Sequence, residues 1–150
     1  MQSTSTLNML AELDRAVLEE RVRTHFAALG RGDVRSVLTG MAESVVYEVT
    51  GAWDVYPSHA RPEGIEATRQ MLLNLNREFE TLCSTLQDIL IDGEKVATRR
   101  VVRLRHRGTS AVGDVTIVGF LRFRDGLLIE VADYPDTAVI ERLTGRIDAG

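Results

Sequence analysis

Two charged side chains stand on strand faces that are otherwise apolar. In KVATRRVVRLRHR, residues 95 to 107, side chains alternate between the two faces of an extended chain. The even positions are Val96, Thr98, Arg100, Val102 and Leu104, with Arg100 the one charge along the middle of that face. In LLIEVADY, residues 127 to 134, the odd positions are Leu127, Ile129, Val131 and Asp133. A lone charge on a buried face is costly unless it meets an opposite one. Asp133 and Arg100 are therefore expected to meet inside a concave, partly dry pocket, where a carboxylate beside a cation is a candidate acid/base group. The same residues also read as a structural ion pair, or Asp133 as the cap of a helix after Pro135.

Histidines and aromatic residues add candidates. His25 lies near the end of a helix, on or beside the side of Val22, Phe26 and Leu29. It is placed either to move a proton in the cavity near neutral pH or to cap the helix end half-buried. Trp53, Tyr56 and His59 fall in the irregular stretch GAWDVYPSHARP, residues 51 to 62. Loops gather binding residues and aromatic rings suit an apolar ligand. The rings also read as a plug for the open end of a small core, and His59 as a plain surface histidine. Phe120 shares a face with Val118 and Arg122 that is either cavity wall or dimer surface.

These residues need a scaffold to bring them together. Apolar residues at three- and four-residue steps predict a helix over 8–29, with Leu10, Leu13, Val17, Leu18, Val22, Phe26 and Leu29 inward. Gly30 stops it, and Asp33 suits the N-cap of a short second helix. SVVYEVT, residues 44 to 50, reads as a strand, and residues 63 to 80 as a third helix with Ile65, Met71, Leu72, Leu75 and Phe79 inward. Four strands follow over 82–91, 95–107, 114–124 and 127–134, with hairpin signals at Asp92-Gly93 and Asp125-Gly126. A short helix over 136–143 closes the series. The order predicts an α+β fold with a mainly antiparallel sheet and helices on one face, in a single domain spanning 1–150.

Composition narrows the function classes. The 150 residues carry 18 Lys and Arg against 22 Asp and Glu, a net charge of −4, with 44% apolar and 27% charged residues. That is globular composition rather than disorder. The single Cys83 excludes an internal disulfide, and as a lone thiol within a strand it is expected in the core. No apolar run approaches the roughly 20 residues of a membrane helix. Met1-Gln2-Ser3-Thr4 lacks a basic segment, so no signal peptide is expected, and the cytoplasm is the expected location. Arg99, Arg103, Arg105 and Arg107 form a stripe that reads as a solvated, salt-bridged face, with no stacking motif for nucleic acid. His106, in that stretch, is expected to face solvent. Arg31-Gly32-Asp33 reads as a helix–helix turn. Three His and one Cys show no metal-ligand spacing, and no phosphate-cradling loop or nucleophile elbow is present, so no metal or cofactor is expected.

HFAALGRGDVRSVLTGMAESVVYEV, from His25 to Val49, and GFLRFRDGLLIEVADYPD, from Gly119 to Asp136, resemble the nuclear transport factor 2-like superfamily. That group includes ketosteroid isomerase, SnoaL-like polyketide cyclases and limonene-epoxide hydrolase. The resemblance implies a cone-shaped, curved, mixed but mainly antiparallel β-sheet with three N-terminal helices packed on its concave face. It also implies pairs of domains packed sheet to sheet, hence a homodimer. Set against limonene-epoxide hydrolase, Asp133 falls on the catalytic Asp of the final strand. Arg100 falls on the Arg of the middle strand, and Tyr47 on the Tyr that helps hold water. That family's second carboxylate falls at Val102 and its Asn at Val49. Set against ketosteroid isomerase, the two catalytic Asp residues fall at Val49 and Gly119 and the Tyr at His25, so that activity is not expected. A SnoaL-like cyclase needs only one acid/base group near the end of the sheet, and Asp133 is compatible with it.

The sequence thus points to a cofactor-independent enzyme moving protons on a small, mostly apolar ligand by isomerisation, dehydration or cyclisation. Asp133 would be the acid/base, Arg100 its orienting cation, and Tyr47 a hydrogen-bond donor, with His25 or His59 as a second proton site. Trp53, Tyr56, His59 and Phe120 would hold the ligand. Two alternatives stand beside it. One is an epoxide hydrolase with an altered carboxylate set; the other is a ligand-binding or dimerisation module without catalysis.

Overall fold

The computed structural model describes residues 4–50 and 61–146. Helix α1 (Thr4–Gly30) and helix α2 (Val34–Thr39) lead into strand β1 (Met41–Val49). Helix α3 (Ile65–Glu78) precedes four strands: β2 (Phe79–Asp92), β3 (Lys95–His106), β4 (Val112–Arg124) and β5 (Leu127–Pro135). Helix α4 (Thr137–Leu143) follows. The strands form one sheet in the order β1-β5-β4-β3-β2. Only the β1–β5 pair is parallel; the others are antiparallel. This is the α+β, mainly antiparallel architecture that the element order predicts.

Local chemistry explains the elements. Asp33 caps α2 by accepting from the Ser36 N–H at 3.1 Å. Asp136 caps α4 by accepting from the Ala138 N–H at 3.2 Å, so Asp133 is not that cap. The β4–β5 turn holds Asp125 and Gly126 at φ 52° and 79°, the left-handed pair a tight hairpin needs. The main core lies between helices and sheet, with Val22, Phe26, Leu38, Met71, Leu72 and Val131 among its buried members. A smaller cluster under α4 joins Phe79, Val102, Leu104, Val115, Ile140 and Leu143.

Register breaks bend this sheet and decide which side chains face the core. β2 departs from regular pairing with β3 between Thr81 and Cys83 and again between Leu86 and Asp88. β5 departs from β4 between Arg122 and Phe123. Each extra residue flips the alternation. Cys83 is therefore exposed, not in the core as expected. In β5 the inward set is Leu128, then Val131 and Asp133, whereas Leu127 is exposed.

Two further expectations are corrected. Leu10, Leu13 and Val17 are exposed, because α1 runs past the body of the domain and its packed face begins around Leu18 and Val22. Phe79 lies in β2, since its backbone is already extended at φ −127°, ψ 142° and ends α3.

Candidate active site

The inward face of β3 carries Val96, Thr98, Arg100, Val102, Leu104 and His106, all buried. Asp133 reaches the same hollow from β5, two strands away, with β4 between them. The structure brings the two together. Arg100 Nη2 donates to Asp133 Oδ2 at 3.3 Å and Nη1 to Oδ1 at 3.5 Å. Their side chains are only 7% and 6% exposed. Tyr47, buried on the neighbouring strand β1, donates its hydroxyl to Asp133 Oδ2 at 3.0 Å. On the other side, Arg100 Cζ stands 4.3 Å from the centre of the Phe26 ring, a cation over an aromatic face. The guanidinium is thus held by a carboxylate and a ring, and the carboxylate by a guanidinium and a phenol.

This cluster is the polar end of a cavity of about 120 Å³. Leu72, Leu75, Val49, Val102, Leu104 and Ile117 form apolar walls, and Asn76, Thr81 and exposed Ser84 add polar edges. Asp133 is the one carboxylate that lines it among the described residues. Low-dielectric walls strengthen each contact the pair makes. Such a site presents a proton acceptor and two donors to an apolar body, an arrangement suited to proton transfer with charge stabilisation.

His25 is buried within α1 rather than capping its end. Its ring centre lies 5.1 Å from that of Phe26 and 6.5 Å from that of Tyr47. Neither ring nitrogen has a hydrogen-bond partner among the described residues. Burial pushes its pKa down to about 4, with the Asp133 carboxylate opposing and Arg100 adding to the fall. At neutral pH it is an uncharged imidazole. It lies behind the cavity wall and borders a separate groove between α1, α2 and the β4–β5 turn.

Other candidates fall elsewhere. Phe120 is not a wall of the cavity. It lies on the opposite sheet face, 53% exposed, because β4 directs Val115, Ile117, Leu121 and Phe123 inward and the even positions outward. There it meets the Tyr134 ring edge-on at 6.1 Å. Trp53, Tyr56 and His59, with the loop expected around them, lie outside the described residues. His106 is buried, not solvent-facing, since it shares the inward parity of Arg100. Its Nδ1 accepts from the Thr109 N–H at 3.1 Å, so its Nε2–H donates to the Glu78 carboxylate at 2.9 Å. The Arg stripe is salt-bridged as expected, with Arg99 on Asp88, Arg103 on Asp114 and Arg105 on Glu80.

Sequence reasoning missed Phe26 as the ring beneath Arg100 and Gly119 as a neighbour of Asp133. Helical spacing turned Phe26 inward but did not aim it at a cation. A glycine inside an otherwise apolar strand was the available signal of close approach at 119.

Comparison with known proteins places the chain in a family. The chain is similar to a provisionally named isomerase from Bacillus subtilis, with TM-score 0.76 and 19% identity over 84% of this chain and 91% of that one. It is similar to an LEH-like epoxide hydrolase from M. tuberculosis, with TM-score 0.66 and 21% identity over 85% and 88%. It is also similar to TerC co-crystallised with polyporic acid, with TM-score 0.73 and 16% identity over 84% and 96%. At these identities the likeness is one of fold. No curated protein matches the chain. The model of the SnoaL-like domain family matches residues 22–131, which include Tyr47, Arg100 and the inward face of β4. The chain therefore belongs to the SnoaL-like domain family of the nuclear transport factor 2-like superfamily.

Proposed function

We propose that the protein is a cofactor-independent enzyme that moves a proton on a small, mostly apolar carbonyl compound, as an isomerase, dehydratase or cyclase. The observation that carries this reading is the Tyr47–Asp133–Arg100 cluster at the end of an apolar cavity. Asp133 takes a proton from a carbon next to the carbonyl. The C–H electron pair moves into an enolate, and Arg100 or the Tyr47 hydroxyl stabilises the oxygen. The proton then returns from Asp133 to the same or another carbon, so atoms and charge balance without a co-reactant. The Asp133–Arg100 pair is neutral as a unit, which favours an uncharged substrate. TerC, which shares this fold, was co-crystallised with polyporic acid, which supports a small organic ligand here. His25, an uncharged imidazole whose ring centre lies 6.5 Å from that of Tyr47, is proposed as a second proton site beside the cluster.

The test is solvent deuterium exchange into a panel of cyclic ketones and enones, followed by mass spectrometry. Exchange is expected with the native protein and lost in Asp133→Asn. Exchange that persists unchanged in Asp133→Asn removes the reading.

A second reading, epoxide hydrolysis, is favoured by the likeness to the LEH-like enzyme and by the Tyr47–Asp133 contact, which can hold a water. Against it, Val102 stands in the cavity wall where the second carboxylate of limonene-epoxide hydrolase would fall. Oxygen from labelled water in a diol product would establish hydrolysis; its absence alongside carbon-bound deuterium favours isomerisation. The outer sheet face, with Val118, Phe120 and Tyr134 exposed, is proposed as the surface of a homodimer. Sedimentation of native protein and Phe120→Glu tests it: a native dimer that the variant converts to monomer is the expected result.

A further inference from the structure

The inward positions of β4 are Gly113, Val115, Ile117, Gly119, Leu121 and Phe123; Gly113 lies under α4, and Gly119 is the gap at the centre of the sheet. A glycine in a strand interior sacrifices packing and adds unfolded-state entropy. Backbone conformation does not demand it, because Gly119 is absent from the residues with positive φ. Space does. A β-carbon at 119 would stand 2.7 Å from Asp133 Oδ1, 3.1 Å from Thr98 Oγ1 and 3.7 Å from Arg100 Nη1. Gly119 pairs with Asp133 on β5 and with Thr98 on β3, so the carboxylate lies over its Cα at the centre of the sheet.

We propose that Gly119 is the seat of the Asp133 carboxylate, a positioning residue whose missing side chain lets the acid lie where Arg100 and Tyr47 both reach it. The neighbours have little room to give. Asp133 Oδ2 is held by Tyr47 and by Arg100, and the buried Thr98 hydroxyl is committed to the Gly119 carbonyl at 3.3 Å. A methyl group at 119 lifts Oδ1 away from the sheet and turns Oδ2 out of line with its donors. The catalytic consequence rests on the reading that Asp133 carries the proton; the steric claim does not.

The two are separated by measuring Gly119→Ala in four backgrounds: native, Asp133→Asn, Asp133→Ser, and Arg100→Met/Asp133→Ser. The last keeps the test available if Asp133→Ser alone, with its uncompensated buried cation, does not fold. The expected result is a melting temperature lower by roughly 5 °C or more in the native and Asn backgrounds, which keep an atom over Cα 119. In the Ser backgrounds the same substitution leaves it level or raises it. The carbon-13 resonance of the Asp133 carboxylate should also shift in Gly119→Ala, a readout that loss of packing elsewhere does not move. An equal penalty in all backgrounds, or an unmoved Asp133 resonance, overturns the proposal. A background-dependent penalty and a moved Asp133 resonance, with deuterium exchange intact in both Gly119→Ala and Asp133→Asn, would keep the seat and discard the catalytic reading.

Discussion

Strand β3 carries two arginines side by side, and each is paired with an aspartate of another strand, one on the neighbouring β2 and one on β5 across β4. Arg99 points outward to Asp88, with the side chains 56% and 53% exposed and Nη2–Oδ2 at 2.5 Å. Arg100 points inward to Asp133, with the side chains 7% and 6% exposed and the contact at 3.3 Å. The shorter contact is the weaker one energetically. Water screens and solvates the outer pair, which leaves it worth about 0–1 kcal/mol. The inner pair gave up several kcal/mol of hydration per ion, and its members now depend on each other. Contact length therefore does not rank ion pairs within one strand; the surroundings do. A buried pair is also a poor device for stability, since well-packed apolar residues do as well. Its place at the end of a cavity is what the proposed chemistry rests on.

The largest effect should come from breaking the inner pair on one side. Asp133→Ala leaves Arg100 charged and buried with Phe26 alone beneath it. The expected loss is about 3–5 kcal/mol in urea or guanidinium unfolding. Removing both charges, as in Arg100→Met/Asp133→Leu, should recover most of that loss or exceed native stability by about 1–4 kcal/mol, with no deuterium exchange. If the double variant is as unstable as the single one, the inner pair is holding the fold and the contrast with Arg99–Asp88 fails.

His25 sharpens the comparison through pH. It shares the interior with the inner pair, and burial has lowered its pKa from an ordinary 6.5 to about 4. The unfolded chain binds a proton below 6.5, while the folded chain resists it until about 4. Stability from keeping His25 neutral is thus full above pH 6.5 and is lost as pH falls toward 4. The gap corresponds to roughly 3 kcal/mol. His25→Phe should flatten the acid limb of stability between those values. An acid limb of unchanged steepness would show that His25 is not held neutral by burial.

The contrast between faces also explains what the sequence made legible. β3 pairs with β4 without a break in register, so alternation alone places Arg100 inward and Arg99 outward. The same regularity places His106 inward, but its basic neighbours masked that position. β2 and β5 each contain extra residues. Alternation carried across those bulges misplaces Cys83 and Leu127, because nothing in the side-chain pattern marks where the count shifts. Asp133 was read correctly because it lies beyond the β5 break, where the odd positions face the core again. In α1, periodicity identified a helix but not its partner: Leu10, Leu13 and Val17 repeat correctly on a stretch that the described residues leave uncovered. Phe26 and Gly119 became meaningful only once three strands and a helix converged on one guanidinium.

Tyr47→Phe probes the inner pair more gently. The phenol gives one hydrogen bond to a buried carboxylate, and both charges remain after its removal. A cost of about 1.5–3 kcal/mol is expected for a bond to a charged group. Exchange activity should fall but persist, because Arg100 still reaches both carboxylate oxygens. Complete loss of exchange would instead put Tyr47 in the proton-transfer step itself.

The smallest effect should be found outside. Arg99→Met and Asp88→Asn are each expected to change stability by less than about 1 kcal/mol. A double-mutant cycle at 0.1 M salt should return a coupling at the low end of about 0.2–1 kcal/mol, falling further as salt rises. Deuterium exchange should be untouched in both variants, because the sheet separates Arg99 from the cavity although Arg100 is the next residue. The inner pair, measured in the same cycle with the Arg100→Met/Asp133→Leu set, should couple by several-fold more and respond little to salt, since its members are shielded from solvent. Similar couplings at the two sites would mean that water reaches Asp133 freely, and the low-dielectric argument for its chemistry would have to be given up.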